Sequence, residues 1–334
     1  MRLYKSKAFS FGVSLTALSF FLFMSCAMAA AEEKEPLVYN DFVLIRPQGT
    51  DNFSTLAARY LNNSEKDWLI SNFNGRVQSA PKKEVVIPLR PFEWGGLRAE
   101  GYQLVPVLSY NQFAPRRSSK SVVPKKAFES QMDYLKRHGF RVITLDNLLD
   151  FLDFKTQIPD KSVVITIDDG WKSTYEIAYP ILKKYQYPAT LFLRTDVIGK
   201  KKGLSWKQVR ELSENGVDIQ CGTNSHNDLI SLAINQSLQV YLKALIRALS
   251  EPKETIFKQL GKECRYLAYP KGKTNSLIIT FLKKFGYRAA FTKERGSTPF
   301  FADNYRINRS SIHGEYRLAD FKKNLLVFKS EDLL

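Results

Sequence analysis

Five β-prone residues, Val163-Val164-Ile165-Thr166-Ile167, run without a break into two adjacent carboxylates and a glycine, Asp168-Asp169-Gly170. Such a run reads as a buried strand that delivers acids to its own C-terminal end. Just downstream, Tyr175, Ala178, Ile181, Leu182 and Tyr185 fall at helical spacing, which predicts a helix over 174–185. Asp-Gly alone is also a common turn dipeptide. The flanking strand and helix favour a functional reading, because polar chemistry collects at strand mouths in α/β folds. Two touching carboxylates repel, so such a pair is usually held by a cation or splits its proton affinities.

The alternation continues on both sides. Strands are predicted at 104–108, 142–143, 189–193, 217–221, 266–268 and 289–291. Helices are predicted at 125–138, 145–152, 206–214 and 276–285, with a helical stretch over 237–260 broken near Pro252. A repeated βα order implies a parallel sheet with helices outside, and about seven strands in roughly 230 residues favour closure into a barrel. Residues 41–90 follow a different order: a strand at 42–45, a turn at 49–51, a helix at 54–60, a second helical turn at 68–72 and a strand at 85–89. Pro91, Gly95, Gly96 and Gly101 punctuate 91–103 as a linker.

Composition narrows the setting. Fifty Lys and Arg against 33 Asp and Glu give a net charge of +17, which suits anionic surroundings such as a bacterial envelope. The basic residues are spread along the chain, which disfavours nucleic acid. A basic loop at Arg116-Arg117-Ser118-Ser119-Lys120 either steers an anionic ligand or is a solvated face. Residues 1–29 combine a basic start, an apolar run over 9–24 and Ala27-Met28-Ala29, the pattern of a secretory signal peptide. Cleavage, a retained membrane anchor and lipid attachment at Cys26 remain alternatives. All three place the protein across the inner membrane, in the periplasm or cell envelope. Three cysteines make no disulfide framework, and Cys221 and Cys264 are expected at opposite ends of neighbouring strands, unable to bond.

Two resemblances follow from quoted residues. Gly49, Asp51, Leu56-Ala57, Asn72 and Ile87-Pro88-Leu89, in a βααβ order, resemble a LysM module over 41–90, which implies binding of peptidoglycan or a chitin-like polymer. Thr166-Ile167-Asp168-Asp169-Gly170, Ser225-His226-Asn227-Asp228-Leu229 and Leu267-Ala268-Tyr269-Pro270-Lys271-Gly272, in this order, resemble the NodB-type polysaccharide deacetylases over 104–327. That resemblance implies a distorted (β/α)7 barrel that removes N-acetyl groups from a glycan with a divalent metal, zinc first. It implies Asp168 as general base, Asp169 and His226 as metal ligands and the Tyr269 backbone N–H as oxyanion donor; His313, after Ile312 near a last strand, reads either as a catalytic acid or replacement ligand or as an exposed loop histidine beside Gly314. Tyr110, Asn111, Trp171, Pro270 and Lys271 would bind substrate.

The chain departs from the family pattern at the first histidine of His-x-x-x-His, which is Gly222, and at the family's Tyr-His, which is Tyr110-Asn111. Cys221 is the nearest alternative ligand, and Gly222 is expected to leave room for an imidazole. The alternative to an enzyme is a carbohydrate-binding pseudoenzyme of the same fold.

Overall fold

The computed structural model describes residues 35–79, 84–231 and 237–331; the expected leader at 1–29 lies outside them. The chain divides into two units, one ending at Arg90 and the other beginning at Pro91.

In the smaller unit, β1 (Leu37–Val38), β2 (Phe42–Ile45) and β3 (Val85–Pro88) form an antiparallel sheet with β2 in the middle. Between β2 and β3 lie α1 (Phe53–Leu61) and α2 (Asp67–Phe73). Asn52 starts α1 by accepting the Thr55 N–H while the Thr55 hydroxyl oxygen accepts the Asn52 N–H, a reciprocal capping box. Cross-strand pairing sets Val43 against Ile87 and Ile45 against Val85, and these four close over Phe53, Leu56, Ala57 and Ile70. The strand-helix-helix-strand order is the one the hydrophobic pattern predicts.

In the larger unit, β4 (Gly101–Tyr110), β5 (Ser162–Asp169), β6 (Ala189–Leu193), β7 (Val217–Cys221), β8 (Tyr266–Ala268) and β9 (Ala289–Phe291) lie side by side and parallel. The sheet curls. Past β9 the chain reaches both of its edges: Ile307 bridges Phe291 in parallel, and β10 (Ser310–Ser311) pairs with Leu108 and Ser109 of β4. Side chains alternate across the sheet. Val163, Ile165 and Ile167 pack under the helices, whereas Val164 joins Val107, Phe192, Tyr266, Phe291 and Ile307 on the inner face. Thr166 and Asp168 continue that inward series.

The outer layer includes α3 (Lys125–Arg137), α5 (Tyr179–Tyr185), α6 (Trp206–Glu214), α7 (Leu238–Leu260) and α8 (Ser276–Lys284), whereas α4 (Leu145–Leu152) packs Leu145, Leu148 and Leu149 against the inner-face cluster. Strands β6 to β9, and helices α4 and α6, have the predicted bounds. Elsewhere the structure corrects the pattern. The segment predicted as one helix over 174–185 opens with a wider turn at 174–178, in which the Tyr179 N–H bonds the Thr174 carbonyl; Pro180 has no N–H to give the Glu176 carbonyl. Pro252 does not break α7. One ladder bond is lost, but Leu245, Leu249, Pro252 and Ile256 form a continuous buried stripe that holds the helix together.

Residues 91–103 are ordered rather than a loose linker: Leu97 and Arg98 pair antiparallel with Tyr102 and Gly101, and Arg98 forms ion pairs with Glu93 and Asp160. The unit also runs past 327, since Phe328–Ser330 pairs with Gly101–Gln103. Gly101, at φ 144°, is required there, because a Cβ would sit 2.0 Å from the Lys329 carbonyl oxygen.

Candidate active site

The C-terminal ends of the parallel strands surround a cavity of about 20 Å³, room for about one water. Asp168 forms one side. Its inward direction brings it to Arg309, which is wholly buried and makes two hydrogen bonds to the carboxylate, Nη1 to Oδ1 at 2.6 Å and Nη2 to Oδ2 at 3.2 Å. Arg309 is itself fixed by the Thr292 carbonyl at 3.0 Å and the Thr166 hydroxyl at 3.2 Å. Ser109 donates to Asp168 Oδ2 at 3.1 Å. Burial pushes the Asp168 pKa up, but the charges of Arg309 and Lys293 and the bonds from Arg309 and Ser109 outweigh it, so the group is held below the ordinary carboxylate value.

Asp169 faces other partners. Its backbone takes a left-handed turn, φ 76°, which breaks the strand's alternation. Asn111 Nδ2 donates to Oδ2 at 2.7 Å and Trp171 Nε1 donates to the same oxygen at 3.2 Å. Arg194 Nη1 lies 3.6 Å from Oδ1, and His226 Nδ1 lies 3.9 Å from it. Thr223 (φ 80°) and Lys271 (φ 56°) adopt the same unusual backbone region at neighbouring strand mouths. Left-handed non-glycine residues concentrate where surrounding structure holds them in place.

The cavity therefore brings together Asp168, Asp169, His226, Tyr269, Pro270 and Lys271, with Phe192, Gly222, Ala268, Lys293 and Arg309. Other expected residues lie elsewhere or act otherwise. Tyr110 is not a sugar contact: it points under the helices, stacks near Phe113 and Phe128 and donates its hydroxyl to Gln131 at 2.9 Å. The Tyr269 N–H cannot serve an oxyanion, because it donates to the Phe291 carbonyl at 3.0 Å in the β8–β9 ladder. The Tyr269 hydroxyl donates to the Tyr305 carbonyl, and burial raises its pKa to about 12. His313 packs edge-on against Tyr316, with its pKa lowered by burial and by the Lys120 charge.

Cys221 turns away from the cavity. It lies in the layer between sheet and helices, where it meets Cys264 and the Tyr287 hydroxyl. The two thiols are thus neighbours, contrary to the opposite-ends expectation, because the chain entering the short strand β8 runs alongside Ile219; Cys264 Sγ is 4.0 Å from the Ile219 carbonyl oxygen.

Gly222 offers no space. A Cβ there would lie 2.9 Å from the Phe192 carbonyl oxygen and 3.2 Å from the Leu193 carbonyl, so an imidazole cannot simply be added. The two expected ligands, Asp169 and His226, then fall one protein donor short of the three that catalytic zinc sites usually have. Among the described residues no group of three His, Cys, Asp or Glu side chains is placed to hold a metal ion.

Sequence reasoning missed Arg309, Arg194 and Lys293. A faint signal for Arg309 exists: Ile307 and Ile312 bracket it as a short apolar-edged segment.

A family model described as polysaccharide deacetylase matches residues 155–290. The poly-β-1,6-N-acetyl-D-glucosamine N-deacetylase of Staphylococcus epidermidis is 34% identical over 200 residues, 58% of this chain and 68% of that protein. Its namesake from Staphylococcus aureus is 33% identical over 208 residues, 58% of this chain and 70% of that protein. Among solved structures, the Streptococcus pyogenes deacetylase PplD superposes with a TM-score of 0.60 at 23% identity, covering 67% of this chain and 98% of that one. IcaB from Ammonifex degensii gives 0.57 at 24% identity, covering 64% and 92%. These two similarities concern the fold.

Proposed function

The chain belongs to the polysaccharide deacetylase family, hydrolases that act on N-acetyl amide bonds, and from this premise we propose that it is an exported N-deacetylase of an N-acetylglucosamine polymer. Poly-β-1,6-N-acetylglucosamine, the substrate named for the staphylococcal relatives, is the first candidate. The observation that carries the reading is the buried, doubly hydrogen-bonded Asp168–Arg309 pair at the edge of a water-sized cavity. Asp168 stays ionised near neutral pH and takes the proton from an attacking water; Arg309 fixes the carboxylate's direction. Once protonated, Asp168 is the donor within the cavity for the departing amine. His313 is a second donor by position in the chain only.

With the Tyr269 N–H committed and Pro270 lacking one, the Lys271 N–H is the next amide along the cavity wall to receive the developing oxyanion. Zinc would find Asp169 and His226 as donors, but the set is incomplete and no step is routed through it.

The finer architectural readings go with this function. We read the curled sheet with its closing segment as the distorted (β/α)7 barrel over 104–327, and 41–90 as a LysM-like module that holds peptidoglycan or a chitin-like polymer. Export rests on the leader pattern at 1–29. Among the described residues no helix is long and apolar enough to cross a membrane. The test is acetate release from β-1,6-linked N-acetylglucosamine oligomers. No release by the full chain, and no difference from Asp168→Asn, overturns the enzyme reading and leaves the glycan-binding pseudoenzyme.

A further inference from the structure

The metal implied by the family and the residues around Asp169 disagree, and the disagreement has a pattern. A metal-binding carboxylate accepts hydrogen bonds on one oxygen and keeps the other for the ion. Here the oxygen left for an ion faces a cation instead. Asn111 and Trp171 both donate to Oδ2, and the Arg194 guanidinium faces Oδ1 at 3.6 Å. Asp169 and Arg194 are each largely buried, with side chains 12% and 13% exposed.

Arg194 is not a stray surface cation. Its Nε bonds Asp196 at 2.7 Å, its N–H bonds the Asp169 carbonyl at 2.9 Å, and its guanidinium lies over the Trp171 ring, 6.0 Å from the centroid. A divalent ion on Oδ1 would meet this fixed positive charge. The third-ligand position is closed by the Phe192 and Leu193 backbone.

We propose that the cation balancing Asp169 in this chain is the Arg194 guanidinium, held by Asp196 and Trp171, and that the protein binds no stoichiometric zinc at this site. Arg194 is then a positioning residue: it balances the charge of Asp169 and keeps it turned toward Asn111 and Trp171, beside the base Asp168. The inference concerns the charge at Asp169 and does not depend on which glycan is the substrate.

The test is titration of the chelator-stripped full-length protein with zinc alone, for wild type, Asp169→Ala, Arg194→Gln and Arg194→Lys, with acetate release measured in parallel with and without chelator. Wild type and Asp169→Ala should take up zinc indistinguishably, and chelator should leave the wild-type rate unchanged. Arg194→Gln should lose on the order of 100-fold in kcat, as for removal of a preorganised charge partner, with Arg194→Lys keeping more of it. One zinc per wild-type chain that is lost in Asp169→Ala overturns the proposal, as does activity abolished by chelator and restored by zinc. If the oligomer is not deacetylated, the zinc titration decides alone. A poorly folded Arg194→Gln leaves the wild-type and Asp169→Ala titrations decisive.

Discussion

Asp168 looks inward, to one wholly buried guanidinium that holds both carboxylate oxygens, while the next residue, Asp169, turns upward to side chains from after four different strands: the donors Asn111 beyond β4 and Trp171 beyond β5, and, farther off, Arg194 beyond β6 and His226 beyond β7. The residue type and the strand end are shared. Strand alternation and one left-handed φ separate them. Asp168 inherits the inner face from Val164 and Thr166, whereas Asp169 leaves the strand's geometry and reports on the loops. Opposite charge balances both, but the guanidinium of Asp168 is at hydrogen-bond distance of both oxygens, and that of Asp169 stands off at 3.6 Å among side chains from several loops. The lesson is that adjacent identical residues need not share a role, because the chemistry is set by which face each enters.

The comparison can be broken most sharply at Asp168. Asp168→Asn should lower kcat by about 10²–10⁴-fold, the usual range for removal of a general base, with the fold retained by circular dichroism. An equal loss in Asp169→Asn would erase the distinction between the two acids. Arg309→Met should come next. It strands a buried carboxylate, so urea unfolding should show a loss of about 3–5 kcal/mol, and the acid limb of the rate profile should move to higher pH as the Asp168 pKa rises.

A smaller effect is expected at the cavity wall. Gly222→Ala should cost about 1–3 kcal/mol of stability through overpacking against Phe192, and Gly222→His should leave zinc affinity unchanged; a tighter zinc site with undiminished stability would show that the wall yields.

The acid dependence of stability sharpens the same contrast. The folded pKa of Asp168 lies below its unfolded value, so the contribution of its pair with Arg309 is fully present above the unfolded value of about 3.9 and is lost as pH falls through the folded one. Denaturation midpoints should therefore show no slope from this pair between about pH 5 and 7; a slope there would point to another group. The mildest expectation concerns the small unit, whose own core of Val43, Ile45, Phe53, Leu56 and their neighbours should let residues 35–90 fold alone and be retained weakly on insoluble chitin or peptidoglycan. Folding without retention would make it a cap.

Much of this was legible in the chain. Strands 189–193, 217–221, 266–268 and 289–291 were bounded correctly because buried parallel strands are short apolar runs, or in Val217-Asp218-Ile219-Gln220-Cys221 an alternating one, between turn residues. The acidic pair stood out because it interrupts such a run at its mouth, and His226 because of the motif Ser225-His226-Asn227-Asp228-Leu229 that it belongs to. What stayed hidden depends on distance along the chain. Arg309 sits in Arg306-Ile307-Asn308-Arg309-Ser310-Ser311, which reads as a solvated stretch, and only a partner 141 residues earlier makes it interior. Arg194 directly follows a hydrophobic strand and looks like its exposed end. The apparent room at Gly222 failed because a sequence does not display how closely the next strand's backbone approaches.

The closing segment has a consequence in time. Residues 307–311 follow all six parallel strands in chain order, yet they supply the guanidinium that Asp168 needs and the contacts that join β9 to β4. A chain that has emerged only to β9 has an inner acid without its counter-ion, and such an acid inside an apolar lining resists burial unless it is protonated. The base therefore comes into existence only when this segment docks, and a chain in which it has not docked is without it.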